Sequence, residues 1–170
     1  MQRLEQLEQL EQELNSIDVV SRRCNLKFLG VREPTRENYS ANADVIVDVL
    51  NGCSSSPTRH HSDIVRAHRT GARRQRSDQP RPLIVEFHRW SDRLEILTDR
   101  ALRDLLRKEG IRVTSDLTTR QRSEIHSFHQ PGKLTYFKNG KLRVETDRRP
   151  HPPHRSQQGH RSNHDEPRLP

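Results

Sequence analysis

The chain has 170 residues, a length typical of one domain with appendages. Hydrophobic residues make up 29% and charged residues 32%, so a substantial part of the chain cannot belong to a core. With 31 basic and 23 acidic residues the net charge is +8, which favours a polyanionic partner. No apolar run approaches the roughly 18 to 20 residues that span a bilayer, and the polar, acidic start differs from a signal peptide, so we expect no membrane partner.

The sequence carries no recognisable catalytic or metal-binding motif. A P-loop, a nucleophile elbow and paired acids are all missing, so we expect neither catalysis nor a cofactor. Cys24 and Cys53 lack the CxxC spacing of a zinc finger and form no disulfide framework, which fits a reducing compartment. Cys53, His60, His61 and His68 can be drawn as four ligands, but their spacing matches no zinc module, and we expect no metal site.

Charge is distributed unevenly along the chain. Residues 1–20 have a net charge of −4, residues 21–147 of +9 and residues 148–170 of +3. An acidic head therefore precedes a basic body.

The acidic head, residues 1–20, has the pattern of a coiled-coil helix. Its apolar residues alternate at steps of three and four among Glu and Gln, which favour helix. The predicted seam is Leu7, Leu10, Leu14 and Ile17. A single amphipathic helix packed on its own domain is the alternative, because Leu4, Val19 and Val20 fall outside this seam.

Residues 21–117 alternate between strand and helix patterns. The predicted strands are residues 24–31, 63–69, 82–90 and 111–116. Val65 and Ala67 are expected to point inward from the second of them. In the third, Leu83, Val85 and Phe87 share the inward face.

Two helices are predicted between these strands. Ser40 is expected to cap residues 41–52, which end at Gly52, and Ser91 to cap residues 92–110. The inward stripe predicted for the second helix is Leu94, Leu97, Ala101 and Leu105. The order β-α-β-β-α-β predicts an α+β, ferredoxin-like fold, the arrangement of RNA-recognition (RRM) domains, with both helices on one sheet face. Because this fold also serves other functions, it does not settle what the protein binds.

The remainder of the chain divides into an extension and a tail. Residues 118–147 predict a helix led by Thr118 and then a β-hairpin, since Asn139 and Gly140 separate two alternating runs. Residues 148–170 have no apolar period and predict a disordered basic tail.

The open face of the predicted sheet offers positive charge instead of aromatic rings. Lys27, Pro82 and Ile84 occupy the positions where RNA-recognition domains place the aromatics that stack on bases. Arginines recur from Arg66 to Arg81 with one aspartate among them, which favours contacts to phosphate with little base discrimination. Ordinary solvated surface charge is the alternative, and Glu86 on the same face lowers its positive potential.

Four segments, taken in order, resemble a known family. SRRCNLKFLGVREP, DIVRAHRTG, RPLIVEFHRWSDRLEIL and IRVTSDLTTRQR are similar to the RNA-binding, LINE-type transposase domain of the first open-reading-frame protein of non-LTR retrotransposons. KLTYFKNGKLRV resembles the ending common in invertebrate copies. The resemblance implies a homotrimer joined by an N-terminal coiled coil. Such a protein coats element RNA in a cytoplasmic, and also nuclear, ribonucleoprotein and acts as a nucleic acid chaperone.

The resemblance also implies a set of phosphate contacts. Matched position by position, the family's basic residues fall on Arg22, Arg23, Arg66, Arg69, Arg73, Arg74, Arg100, Arg120 and Arg122. The charge pattern of the sheet and its loop adds Lys27, Arg76 and Arg81. Two features differ from the family: the coil is shorter, and a helix and hairpin replace the separate C-terminal domain.

Two other interpretations remain open at the level of sequence. In one, the chain is an interaction adaptor whose helix recruits a partner coil while the basic body keeps it soluble. In the other, it is a decayed fragment without a selected function.

Overall fold

The computed structural model describes residues 2–36, 38–53, 58–72, 79–138 and 140–146. These residues form an α+β protein with an N-terminal helix, a four-stranded antiparallel sheet with helices, and a C-terminal hairpin. The predicted disordered tail, residues 148–170, lies outside the described residues.

The sheet contains four short strands joined edge to edge. They are β1 (Asn25–Leu29), β2 (Ile64–Arg69), β3 (Leu83–Phe87) and β4 (Arg112–Ser115). Their spatial order is β2-β3-β1-β4, and every neighbouring pair is antiparallel. All four predicted strands are confirmed, and each begins one residue later than its prediction.

Three helices cover one face of this sheet and form the core with it. They are α2 (Tyr39–Cys53), α3 (Trp90–Thr98) and α4 (Arg100–Lys108). The strands contribute Leu26, Phe28, Ala67, Leu83, Val85, Phe87 and Val113 to the core, and the helices contribute Ala43, Ile46, Leu50, Ile96, Leu102 and Leu106. We call the sheet face that packs against these helices the covered face. The predicted inward set of β3 is thereby confirmed.

The cap of α2 differs from the prediction. The helix begins at Tyr39, and the Asn38 side chain accepts a hydrogen bond from the Ala41 backbone N–H at 2.6 Å. Ser40 already lies in the first turn, where its hydroxyl donates to Asp44. Asparagine and serine are equally good caps, so the residue at the helix boundary takes the role. Gly52 lies inside the helix instead of ending it.

The predicted helix of residues 92–110 is interrupted at Asp99. Asp99 has an extended backbone with ψ 108°, ends α3 and caps α4 by accepting from the Leu102 N–H at 3.0 Å. The break changes the phase of the helical surface, so Ile96, Leu102 and Leu106 are the buried residues. The predicted stripe is therefore confirmed only at Leu97, which packs against the core, and is wrong at Ala101 and Leu105, which are exposed.

Two further helix and strand details also correct the sequence predictions. The helix that Ser91 was expected to cap begins at Trp90, so Ser91 lies inside it. In β2 the register shifts between Ile64 and Arg66, and this bulge places Val65 on the outside while Ile64 joins the core. A bulge adds a residue and reverses the alternation that the prediction assumed.

Gly30, directly after β1, lies against the backbone of Gly110 in the turn before β4. Its φ is +90°, and a Cβ there would lie 2.3 Å from the carbonyl oxygen of Gly110. Only glycine permits this approach, because any side chain would collide with backbone.

The N-terminal helix and the C-terminal extension complete the molecule. α1 (Gln2–Ser21) is followed by the sheet, and α5 (Thr119–Ser127) leads to the hairpin of β5 (Lys133–Lys138) and β6 (Lys141–Thr146). Thr118 caps α5 as predicted by accepting from the Gln121 N–H, and its hydroxyl donates to Asn15 of α1 at 3.0 Å. The predicted hairpin is confirmed.

Candidate nucleic-acid interface

The sheet face opposite the helices carries most of the polar strand residues. Strand register aligns His68, Ile84 and Lys27 in one row and Arg66, Glu86 and Asn25 in the next. We call these six residues the open face. Ile84 is only 5% exposed, so polar side chains surround an apolar centre.

A groove of about 570 Å³ runs over the open face. Besides the open-face residues, its walls come from the end of α1, the residues before β1, the residue after β2, and the segment from β4 into α5. These wall residues are Asp18, Ser21, Arg22, Thr70, Asp116 and Arg122. Four cationic side chains and three carboxylates therefore border one concave surface.

The carboxylates engage two of the groove's arginines. Arg22 Nε donates to Asp18 at 2.6 Å and its Nη1 to Asp116 at 3.1 Å. The hydrogen bond that Arg22 donates to Asp18 is the main reason why the pKa of Arg22 is raised. On the open face, Arg66 lies 3.5 Å from Glu86. A phosphate entering the groove would compete with these carboxylates, which weakens its binding per contact.

His68 contributes little charge to the groove at neutral pH. Burial lowers the pKa of its imidazole, and the neighbouring Arg66 lowers it further. The neutral form is therefore favoured near pH 7, and protonation needs a pH below the ordinary range of histidine.

Two predicted phosphate contacts are used inside the fold. Arg69 is 8% exposed, because β2 directs it toward the covered face. Its guanidinium donates to Asn42 Oδ1 at 3.1 Å and to the carbonyl oxygens of Val31 at 2.8 Å, Arg81 at 2.9 Å and Arg32. Contact with phosphate would break these bonds, so the buried position argues against Arg69 as a phosphate contact, and that contact stays a prediction.

Arg81 has a similar internal role. Its Nη2 donates to Glu33 at 2.8 Å, and its backbone N–H also donates to Glu33 at 2.8 Å. These hydrogen bonds lower the pKa of Glu33 to about 2. Arg69 and Arg81 therefore join the two ends of the loop that follows β2 to the segment after β1.

The other predicted residues fall into three groups. The groove is bordered by Arg22, Lys27, Arg66 and Arg122. Exposed positions elsewhere are occupied by Arg23, Arg100 and Arg120. Three arginines lie outside the described residues: Arg73, Arg74 and Arg76.

Sequence reasoning found Glu86 but missed the groove's other two acidic residues, Asp18 and Asp116. Asp18 and Arg22 are four residues apart, a spacing that predicts an ion pair on a helix. Asp116 gave no such signal, because it meets Asn25 and Arg22 only through the pairing of β4 with β1.

The predicted oligomerisation seam lies on the surface of α1. Leu7, Leu10, Leu14 and Ile17 are between 54% and 66% exposed. The described contacts of α1 with the rest of the chain lie near its C-terminus, at Asn15 and Asp18. Since this apolar row packs on no described part of its own chain, it is available for self-association.

The described residues contain neither a metal-binding cluster nor a membrane-spanning helix. Within the described ranges, no three His, Cys or acidic side chains are grouped to hold a metal ion. No described helix has both the length and the apolar character needed to cross a bilayer.

Comparison with known proteins gives no further assignment. No family model matches the chain, and no curated protein does.

Proposed function

We propose that this chain binds single-stranded RNA and DNA without sequence preference, as the first open-reading-frame protein of a non-LTR retrotransposon. In this role it coats element RNA in a ribonucleoprotein particle and acts as a nucleic acid chaperone. One observation carries the proposal: Arg22, Lys27, Arg66 and Arg122 border a single groove on the sheet face that α2, α3 and α4 leave uncovered.

The order of the strands supports an RRM-like fold as part of this proposal. The order β2-β3-β1-β4, with helical segments between β1 and β2 and between β3 and β4, is the order expected of a ferredoxin-like, RRM-like sheet. RNA-recognition domains of this type use the face opposite the helices.

The mechanism we infer is phosphate-led. Ile84 and Lys27 lie at the centre of the open face, where an RNA-recognition domain would stack bases on aromatic rings. Cations alone recognise the backbone, which is the same in every sequence. Binding by this route weakens as salt rises.

Self-association supplies the affinity that one groove lacks. Each groove contains three carboxylates that compete with phosphate, so a single site binds weakly. Joining several copies through the exposed seam of α1 converts later contacts into intramolecular ones and raises overall affinity. The family resemblance makes a trimer the expected assembly.

Charge reversal in the groove tests the proposal. Fluorescence anisotropy with a labelled single-stranded RNA of about 30 nucleotides, at several salt concentrations, measures both affinity and salt dependence. Lys27→Glu and Arg66→Glu are expected to weaken binding and reduce the salt slope. Lys108→Glu makes the same charge change on α4 and is the matched control. Equal losses in all three variants, or binding insensitive to salt, would contradict a groove-centred, phosphate-led mechanism.

The exposed seam favours a second candidate, a coiled-coil interaction adaptor derived from such an element. Its apolar row needs a partner helix, and the acidic groove residues reduce the attraction for nucleic acid. Reversing Arg73 and Arg74 to Glu distinguishes the two, because an adaptor keeps its protein partner while a nucleic-acid binder loses affinity.

A further inference from the structure

The β5–β6 hairpin presents two chemically different faces. Residues paired directly across an antiparallel ladder share a face, so Tyr136 and Arg143 lie together, followed by Lys138 and Lys141 toward the turn. Glu145, paired with Leu134, completes this side. We call it the basic hairpin face.

The opposite side of the hairpin is mainly apolar. It carries the pairs Phe137 with Leu142 and Thr135 with Val144. The Thr135 hydroxyl donates to the carbonyl oxygen of Phe128, just after α5. This side is therefore linked to α5, and the basic hairpin face is the other side.

The side chains of the basic hairpin face suit a polyanion that also carries flat rings. Lys138, Lys141 and Arg143 are exposed, whereas Tyr136 is half-buried. The Tyr136 hydroxyl donates to Glu145 Oε1 at 2.6 Å, which restrains the ring and occupies the one carboxylate on this face. A restrained ring loses less conformational entropy when another ring stacks on it.

We propose that the basic hairpin face is a second contact surface for single-stranded nucleic acid, on which a base stacks against Tyr136 while Lys138, Lys141 and Arg143 bind phosphates. The inference rests on the proposed function and extends it, since it gives the chain the aromatic contact that the open face lacks. Charge complementarity selects the occupant: three cations stand against one carboxylate, and that carboxylate is already hydrogen-bonded. Base-on-aromatic stacking tolerates any sequence, because every base has a π face.

The test compares two probes on the full-length protein: a labelled single-stranded RNA of about 30 nucleotides, and an abasic sugar-phosphate oligomer of the same length. The wild type is expected to bind the RNA more tightly. Tyr136→Ala is expected to lower RNA affinity about five-fold or more and to remove the preference over the abasic probe. Tyr136→Phe keeps the ring and should stay within about two-fold of the wild type.

Three more variants separate stacking from charge and from folding. Lys138→Glu should reduce the salt slope more than Lys133→Glu, which changes the same strand on its other face. Tyr136→Leu keeps an apolar side chain in the strand, so a loss shared with Tyr136→Ala but not with Tyr136→Phe identifies the ring itself as the contact.

Other outcomes would contradict the role of the hairpin or the proposed function. If Lys27→Glu weakens RNA binding but the hairpin variants leave it unchanged, this inference is overturned and the proposed function stands. Equal binding of RNA and the abasic probe by the wild type would overturn the proposed stacking of a base on Tyr136. Equal binding of RNA and an acidic polyglutamate peptide would overturn nucleic acid as the ligand of the basic hairpin face. Failure of the wild type to bind RNA at low salt overturns the proposed function and this inference together.

Discussion

The two faces of the four-stranded sheet use arginine in opposite ways. Arg66 and Arg69 lie three residues apart on β2, yet Arg66 is exposed beside Glu86 while Arg69 is buried among backbone carbonyls. Side chains alternate between the two sides of a sheet along a strand, so residues three positions apart face opposite sides. The side of the sheet, more than the type of residue, therefore decides whether an arginine holds the fold together or is available to a ligand.

The largest expected difference between the faces concerns stability. Phe28 is fully buried on the covered face, and its neighbour Lys27 lies on the open face. Phe28→Ala should lower the free energy of unfolding by about 3–5 kcal/mol, because it removes a large core side chain and leaves a cavity. Lys27→Ala should change it by less than about 0.5 kcal/mol while weakening RNA binding. Denaturant unfolding and anisotropy measure the two effects, and comparable stability losses would contradict the assignment of faces.

A slightly smaller effect is expected for the two arginines of β2. Arg69→Ala leaves several buried carbonyls without their donor and should cost about 2–4 kcal/mol. Arg66→Ala should cost less than about 0.5 kcal/mol, since its ion pair with Glu86 is exposed. Urea denaturation of both variants provides the measurement. A stable Arg69→Ala protein with impaired RNA binding would return Arg69 to the phosphate-contacting set.

Acid should weaken the clamp that Arg81 forms with Glu33. Because the pKa of Glu33 is about 2 in the folded protein and 4.5 is its ordinary value, the folded state favours the carboxylate. The resulting stability is present above about pH 5 and is lost as pH falls toward 2. After allowance for the partial exposure of Glu33, we expect the clamp to contribute about 1–2 kcal/mol to the free energy of unfolding at neutral pH.

Glu33→Gln should remove this part of the pH dependence. Thermal or urea unfolding across pH 2 to 7 compares it with the wild type, and Glu8→Gln on α1 controls for loss of a carboxylate. Parallel pH profiles for wild type and Glu33→Gln would show that the clamp adds no stability.

The smallest effect on folding is expected at the seam of α1. Leu10→Asp combined with Leu14→Asp should leave the unfolding free energy of the sheet domain within about 0.5 kcal/mol, because both leucines are exposed. The same change should reduce the molecular mass found by sedimentation. Leu4→Asp, equally exposed but outside the seam, is the matched control. An unchanged mass would contradict self-association through the seam.

Much of the fold is readable from local pattern, and the two main errors have different physical causes. The strands and the hairpin were found because alternation and turn residues are encoded within a few positions. Asp99 interrupts a continuous helical pattern, since capping α4 competes with continuing α3, and periodicity alone does not register that competition. The bulge in β2 was missed for a different reason, since it depends on how β3 pairs with β2.

The groove was only partly predictable. Lys27 and Arg66 could be assigned to the open face by counting along strands, and Asp18 with Arg22 has helical spacing. The role of Asp116 depends on pairing between β1 and β4, which are distant in sequence.

The acidic head with its apolar seam, the basic body, the strand and helix order and the hairpin are all predictable from the amino-acid sequence, because they follow from composition and short periods. Which cations stay available depends on tertiary packing. Long-range packing buries Arg69, pairs Arg81 with Glu33 and brings Asp116 to Arg22. Burial and ion pairing are properties of the neighbours that folding supplies, and no pattern of charges along the chain contains them.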